Sequence, residues 1–283
     1  MKQAYLIIAH NNFEHLRCLL NALDCRDVFL YLYIDAKADI PEFIRNFKSA
    51  NPMTILHERS IDWGNQSQVL TELDLFEKAF ENQEIKWFHL ISGSDFPLKP
   101  VGEINRFFES SEEVDCFMET EPLPEHLADR MTLYHFIVKR PNGRKTISKR
   151  LTDKLLALQC RLGVKRRHPD GLPFMYGSNW VDLRRRAVAI LLRKRADIIR
   201  HTRHTSCSDE IYKQTFLQNS GLRIESDNQR YIDWSARRPS PKSLTPEDYA
   251  AIIASGKLFA RKFDAPESAA LRQRILDTQS PEP

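Results

Sequence analysis

A chain of 283 residues, 42% hydrophobic and 28% charged, makes one large domain or two small ones with ample material for a packed core. Its net charge of +4 is too slight over that length to imply a nucleic-acid partner by itself. Cys18, Cys25, Cys116, Cys160 and Cys207 form no CxxC and no zinc spacing, which suits free thiols in a reducing compartment. The only apolar run near the N-terminus is Ala4–Ala9, too short for a signal h-region. No segment approaches the roughly 20 apolar residues of a membrane span, so the expectation is a soluble, cytoplasmic protein.

Ala4–Ala9 reads as a buried strand, and His10-Asn11-Asn12 as the polar turn after it. Phe13–Leu23 places Phe13, Leu16, Leu19, Leu20 and Leu23 at helical spacing. Val28–Ile34 is a second strand that ends at Asp35. Strand, helix and strand at this pitch form a βαβ unit with a parallel sheet, so His10 and Asp35 face one crevice. An acidic residue there commonly holds a ribose hydroxyl, but no GxGxxG follows Ala9, which excludes the dinucleotide fingerprint. Pro41–Phe47 is a short helix, Met53–Leu56 a third strand and residues 62–65 a turn that includes Trp63. A helix with Val69, Leu70, Leu73, Phe76 and Phe80 on one face leads to Trp87–Ile91, apolar except for His89. The chain then switches abruptly to Ser92, Gly93, Ser94 and Asp95. Ligands of open α/β sheets bind beyond the carboxyl ends of such doubly buried strands, which puts Asp95 in the crevice.

Val101–Phe108 continues as a helix and Asp115–Met118 as a strand that runs into Glu119-Thr120-Glu121. Beyond it the alternation loosens. Met131–Val138 is expected to be extended, and Ile147–Leu162 to be a helix with Leu151, Leu155, Leu158 and Leu162 on its apolar face. Lys139–Arg150 and Lys165–Arg167 are strongly basic, a solvated face or a contact with a polyanion or membrane surface. Phe174–Leu183 is a Gly-Ser turn feeding an aromatic strand, and Arg184–Arg195 a helix. Ser206–Thr215 starts another, with Ser208 as cap and Asp209 and Glu210 in its first turn. Short strands are expected at Leu222–Ile224, Tyr231–Trp234 and Leu258–Phe263, helices at Pro246–Ala254 and Glu267–Asp277, and a frayed tail at 278–283. The whole is an α/β fold with a mostly parallel central sheet and helices on both faces. A nucleotide-binding half, about 1–120, precedes an acceptor-side half, 121–277, within a single domain.

The ordered set AYLIIAH, YLYIDAKAD, WGN, LISGSDFPL, ETE, GSNW, SDE with IYKQT, YIDW and LFARKFD resembles glycosyltransferase family 14. That family holds the core-2/I-branching β-1,6-N-acetylglucosaminyltransferases and the peptide O-xylosyltransferases. The likeness runs from Ala4 to Asp264, and the chain looks like a compact bacterial-type member without the anchor and stem of the animal enzymes. The resemblance implies a GT-A fold, a UDP-sugar donor, inversion at the anomeric carbon and no divalent metal. The sequence is consistent with the last point, because it has no Asp-x-Asp and a lone carboxylate is a poor site for a hard cation.

Carried over by motif, the resemblance makes Glu210 the catalytic base, with Asp209 its capping or orienting neighbour. It makes Lys262 a diphosphate ligand with Arg230, or else Arg261, as partner, and places the nucleoside against Asp35, Ala9 and His10. Glu119 and Arg130 match acceptor-side positions, although Leu127 stands where the family carries a lysine. Asp95, Ser178, Trp180 and Trp234 are expected around the donor and acceptor sugars, each with a packing role as the plain alternative. The reading is transfer of a sugar, first N-acetylglucosamine and alternatively xylose, to a glycan or lipid-linked oligosaccharide of a bacterial surface polymer. The enzyme would act in the cytoplasm, with peripheral membrane contact through the basic region 139–203. Two rivals are a silent sugar-nucleotide or glycan-binding protein, which would be expected to lose Glu210 or Lys262, and a nucleic-acid binder. The latter lacks interleaved aromatics or a known recognition pattern.

Overall fold

The computed structural model describes residues 1–136, 147–166, 171–236 and 238–279. In chain order the strands are β1 (Lys2–Ala9), β2 (Val28–Ile34), β3 (Thr54–Leu56), β4 (Ile85–Ser92), β5 (Asp95–Pro97), β6 (Cys116–Phe117), β7 (Glu121–Pro122), β8 (Met175–Tyr176), β9 (Val181–Arg184), β10 (Ile224–Glu225), β11 (Arg230–Ile232) and β12 (Phe259–Arg261). The helices are α1 (Phe13–Leu23), α2 (Glu42–Arg45), α3 (Gln66–Phe80), α4 (Val101–Ser110), α5 (Asp129–Thr132), α6 (Ile147–Arg161), α7 (Arg185–Arg193), α8 (Arg195–Thr202), α9 (Tyr212–Gln218), α10 (Tyr249–Ala254) and α11 (Ser268–Gln279).

Seven strands form the main sheet in the order β10-β6-β9-β4-β1-β2-β3. All neighbours run parallel except β9, which is antiparallel to both β4 and β6. The central strands are apolar on both faces because both faces are covered. Tyr5, Ile7, Leu30 and Leu32 join Leu16, Leu20, Phe108 and Ile275 on one side. Leu6, Tyr33, Phe88 and Leu90 join Val69, Leu73, Phe76 and Leu191 on the other. A second sheet, β11-β12-β5, and the antiparallel pair β7-β8 stand beside the main one.

A buried ion pair joins the two larger sheets. Asp182, on β9, accepts from both terminal nitrogens of Arg230, on β11, at 2.7 and 2.8 Å, and the His89 ring lies 2.9 Å away. Both side chains of the pair are fully buried. Burial alone would raise the pKa of Asp182, but Arg230 and His89 outweigh it and hold the carboxyl below its ordinary range.

Several local expectations are corrected. Residues 131–136 contain the end of α5 and a loop, not an extended element, because Arg166 ties down the Met131 carbonyl at 2.9 Å and the Thr132 carbonyl at 2.7 Å. Ser208 does not cap a helix: its hydroxyl is buried without a partner, and Ser208–Glu210 is a tight 3-10 turn before α9. Leu151, Leu158 and Leu162 of the α6 region are 47%, 50% and 67% exposed, so the apolar face read from their spacing is largely uncovered. Helix α11 reaches Gln279, past the expected end. Val138, most of the run Lys139–Arg150, Arg167 and residues 280–283 lie outside the described residues. All five cysteines are unpaired, and among the described residues no helix is long and apolar enough to cross a membrane.

Replacing Asp182 by Ala leaves the Arg230 guanidinium buried and uncompensated. Urea unfolding of Asp182→Ala is expected to show a loss of about 3–5 kcal/mol.

Candidate active site

The crevice opens where β1, β2 and β4 end. Gly93 makes its floor possible, since a Cβ there would stand 2.8 Å from that of Ala9. The Asp35 amide donates to the Ala9 carbonyl at 3.0 Å. Its buried carboxylate accepts from the Lys37 amide at 2.9 Å and lies 3.5 Å from Lys37 Nζ. Lys37 Nζ reaches on to Asp62 at 3.0 Å, beside the exposed ring of Trp63. His10 sits in the field of Asp35 and Lys262: partial desolvation lowers its pKa, Asp35 opposes this, and Lys262 and Lys37 add to it. The structure therefore brings Ala9, His10, Asp35 and Lys262 to one end of the crevice. Asn12 closes that end with a 3.4 Å bond to the Phe263 carbonyl.

One wall is β12 with its following residues. Lys262 Nζ is partly exposed and bonded to Asp264 at 2.6 Å. Arg261 is nearly buried, with its Nε 3.5 Å from Asp95 and its guanidinium 4.5 Å from the centre of the Trp180 ring. Two expectations change here. Asp95, expected at the donor sugar, is fully buried on β5 and pairs with Arg261, with no surface open to the crevice. Burial raises its pKa, while Arg261 and Arg230 oppose the rise. Arg230 is committed to Asp182 and to the carbonyls of Leu90 and Asn228, with no side-chain surface exposed. It is not placed to meet a diphosphate. Lys262 and, behind it, Arg261 are the cations on this wall.

Glu210 stands on the short turn that precedes α9. Cys207, in the left-handed region at φ 50°, donates its amide to the Gly64 carbonyl at 2.8 Å, which docks the 208–210 turn on the start of α3. The Glu210 carboxylate is about a third exposed and accepts from Arg130 Nη1 at 2.7 Å. The Glu210 carbonyl accepts from the Gly177 amide at 3.0 Å. A Cβ on Gly177 would overlap the Glu119 carbonyl oxygen, so glycine alone lets Glu119, Ser178 and Glu210 approach one another. The Arg130 guanidinium is 6.0 Å from the Tyr176 ring centre. Partial desolvation raises the pKa of Glu119, opposed by the Ser178 backbone and Arg230. Trp234 is 53% exposed, which rules out core packing and leaves its face open for stacking.

Beneath Glu210 lies a polar cluster that the sequence reading missed. Lys213 is fully buried and donates to Glu72 at 2.6 Å, Asn179 at 2.6 Å and the Asp209 carbonyl at 2.9 Å. Tyr212 adds a 2.8 Å bond to Glu72, and Gln68 a 3.1 Å bond to Asp209. One signal was present in the sequence: Glu72 sits on the apolar stripe of α3 with Val69, Leu73 and Phe76. Burial pushes the Asp209 carboxyl up to about 8, with Glu210 and Glu72 adding and Lys213 opposing. Among the described residues no three of His, Cys, Asp and Glu are grouped as a metal site.

A family model, the core-2/I-branching enzyme, matches residues 3–253. Xylosyltransferase 1 of Rattus norvegicus is 23% identical over 299 residues, covering 93% of this chain and 33% of that protein. The xylosyltransferase of Ciona intestinalis is 23% identical over 286 residues, 92% of this chain and 32% of its own length. The chain thus spans about a third of the length of these relatives. A solved 4-diphosphocytidyl-2C-methyl-D-erythritol synthase aligns with a TM-score of 0.45 at 10% identity, over 98% of this chain and 100% of that one.

The buried Asp209 has a consequence for stability. An unfolded chain releases this proton near the ordinary carboxylate pKa of about 4, whereas the folded protein keeps it until about pH 8. The group therefore subtracts stability as pH rises through that window. Chemical denaturation from pH 5 to 9 is expected to show a shallower decline for Asp209→Asn than for the wild type.

Proposed function

Because the chain belongs to the core-2/I-branching enzyme family, we propose that it is an inverting, metal-independent glycosyltransferase of GT-A type. It would move a sugar from a UDP-sugar to a hydroxyl of a glycan or lipid-linked oligosaccharide on the cytoplasmic side of a membrane. The observation that carries the reading is the contrast between two adjacent carboxyls. Asp209 is buried against Gln68 and the Lys213 cluster, whereas Glu210 is about a third exposed and bonded to Arg130 at 2.7 Å.

In a single displacement, a Glu210 oxygen takes the proton of the acceptor hydroxyl as that oxygen bonds to the anomeric carbon. The bond from the anomeric carbon to the diphosphate breaks on the opposite face, and UDP leaves with the electron pair. Lys262 offsets the charge that develops on the diphosphate, with Arg261 behind it. Asp35, His10 and Lys37 form the nucleoside end, and Glu119, Arg130 and Tyr176 the acceptor side. Arg130 both positions Glu210 and meets the acceptor. Ser178, Trp180 and Trp234 line the space between.

N-acetylglucosamine is the donor sugar that the sequence reading favours, and the xylosyltransferase relatives favour xylose as the second reading. Transfer assayed from UDP-N-acetylglucosamine and UDP-xylose in EDTA is expected to proceed from one of them. It is expected to fall about 10²–10⁴-fold in Glu210→Gln. Activity that returns only with manganese would sink the metal-independent reading, and a fully active Glu210→Gln would remove Glu210 as the base. Lys262→Ala is expected to weaken UDP far more than uridine in calorimetric titration. Equal weakening would place Lys262 away from the phosphates.

A further inference from the structure

Helix α6 and the residue that follows it carry an apolar stripe that is largely exposed. Leu151, Leu155, Leu158 and Leu162 recur at intervals of three and four, which sets them on one face. Three of them are about half exposed or more. A soluble monomer rarely leaves so many neighbouring leucines in water without a use for them. Lys154 and Arg161 are exposed on the same helix, the arrangement of a helix that lies in a membrane interface rather than crossing it.

The chain beyond α6 leads into an open hollow of about 460 Å³ lined by Lys165, Arg166, Arg200, Arg203, His204 and Tyr134. Arg166 is spent on structure, since it donates to the carbonyls of Met131, His201 and Arg203. Arg200 is paired with Asp197. Among the described residues Lys165 and Arg203 pair with no carboxylate, and both are exposed. Beside them Phe136 is 61% exposed and stacked on Tyr134, with ring centres 5.9 Å apart. Gln159 of α6 bonds both backbone groups of Tyr134, at 2.8 and 2.9 Å, which joins the helix to the rim of the hollow. The hollow suits phosphate headgroups, and the apolar side chains suit the acyl region just below them.

We propose that the α6 stripe and this basic hollow together form a docking surface for a bilayer containing anionic phospholipids. The surface adjoins the acceptor side of the crevice. The Thr132 carbonyl accepts from the Arg166 amide at 2.7 Å, the Arg130 carbonyl accepts from the Ser206 amide at 3.0 Å, and Arg130 holds Glu210. Docking there sets the acceptor side next to the lipid. If the transfer reaction proposed above holds, a lipid-linked acceptor would be presented to Glu210, and that consequence alone rests on the functional reading.

Flotation of the whole protein with vesicles tests the surface without reading transfer. Binding is expected to phosphatidylcholine vesicles that contain phosphatidylglycerol, weakly or not at all to phosphatidylcholine alone, and to fall with added salt. Lys165→Glu and Arg203→Glu are each expected to reduce partitioning about fivefold or more. The double variant Leu158→Ser with Leu162→Ser is expected to reduce it while leaving the melting temperature unchanged. Four results would overturn the proposal. One is equal binding to both vesicle types, and another is unaltered flotation of the charge and leucine variants. A third is calorimetric binding of glycerol phosphate by a protein that does not float, which marks a site for a soluble anion. The last is a change of oligomeric state, or a lower melting temperature, in the leucine variant with flotation intact, which marks the stripe as a protein contact.

Discussion

Everything on the cationic wall of the crevice depends on the Asp182–Arg230 pair, which never reaches the crevice itself. The pair spans two sheets: Asp182 stands opposite His89 in the register of β9 with β4, and Arg230 opens β11. Strand β11 pairs with β12 in parallel, and β12 carries Arg261 and runs into Lys262. Removing two charges from water is costly, and such a pair often contributes little net stability. Here the cost is offset by several bonds, because Asp182 also takes the His89 contact and Arg230 also serves the Leu90 and Asn228 carbonyls. What the arrangement supplies is position. With bidentate geometry, β11 has one place to sit against the main sheet, so Lys262 has one place to be.

Four carboxyl groups near the crevice differ in role because they differ in surroundings. Asp182 is fully buried but paired, and burial is outweighed. Asp95 is fully buried and faces Arg261 at 3.5 Å, a looser contact, and burial prevails. Asp209 is buried beside two other carboxylates with one lysine among them, and burial pushes its carboxyl well above the ordinary range. Glu210 alone keeps water on one side and an arginine on the other. Lys213 serves the turn through Asp209's carbonyl as well as through charge, which joins the position of the turn to the electrostatics of the cluster.

The residues that form the first βαβ unit were legible because their apolar pattern is nearly pure. Phe13–Leu23 and Val28–Ile34 fall where periodicity places them. Asp35 and His10 followed, since strand ends in a parallel sheet point one way. Arg230, assigned to the diphosphate by resemblance, is turned instead to a buried partner that a motif match does not reveal. The Asp that buries it lies 48 positions away, on the sheet's antiparallel strand. Lys213 was hidden similarly, as a lysine in a polar helical turn whose partner belongs to an otherwise apolar stripe. The leucines of α6 were legible as a stripe but not as an exposed one, because periodicity identifies a face and not what covers it.

The turns that line the crevice are fixed to one another through main-chain bonds. Asp35 bonds to Ala9, Cys207 to Gly64, Gly177 to Glu210 and Phe263 to Ser94, at 2.8–3.0 Å. Glycine permits two of the closest approaches, at Gly93 and Gly177. Such a frame holds its shape largely independently of the side chains that point into it, which leaves those side chains open to change. Leu127, which stands where the resemblance leads one to expect a lysine, is intelligible in those terms. It lies in a short 3-10 turn with no buried residue, so the change leaves the way Glu210 is held undisturbed. In this architecture Glu210 and Arg130 are set by the frame, while the side chains at its edges are left open to change.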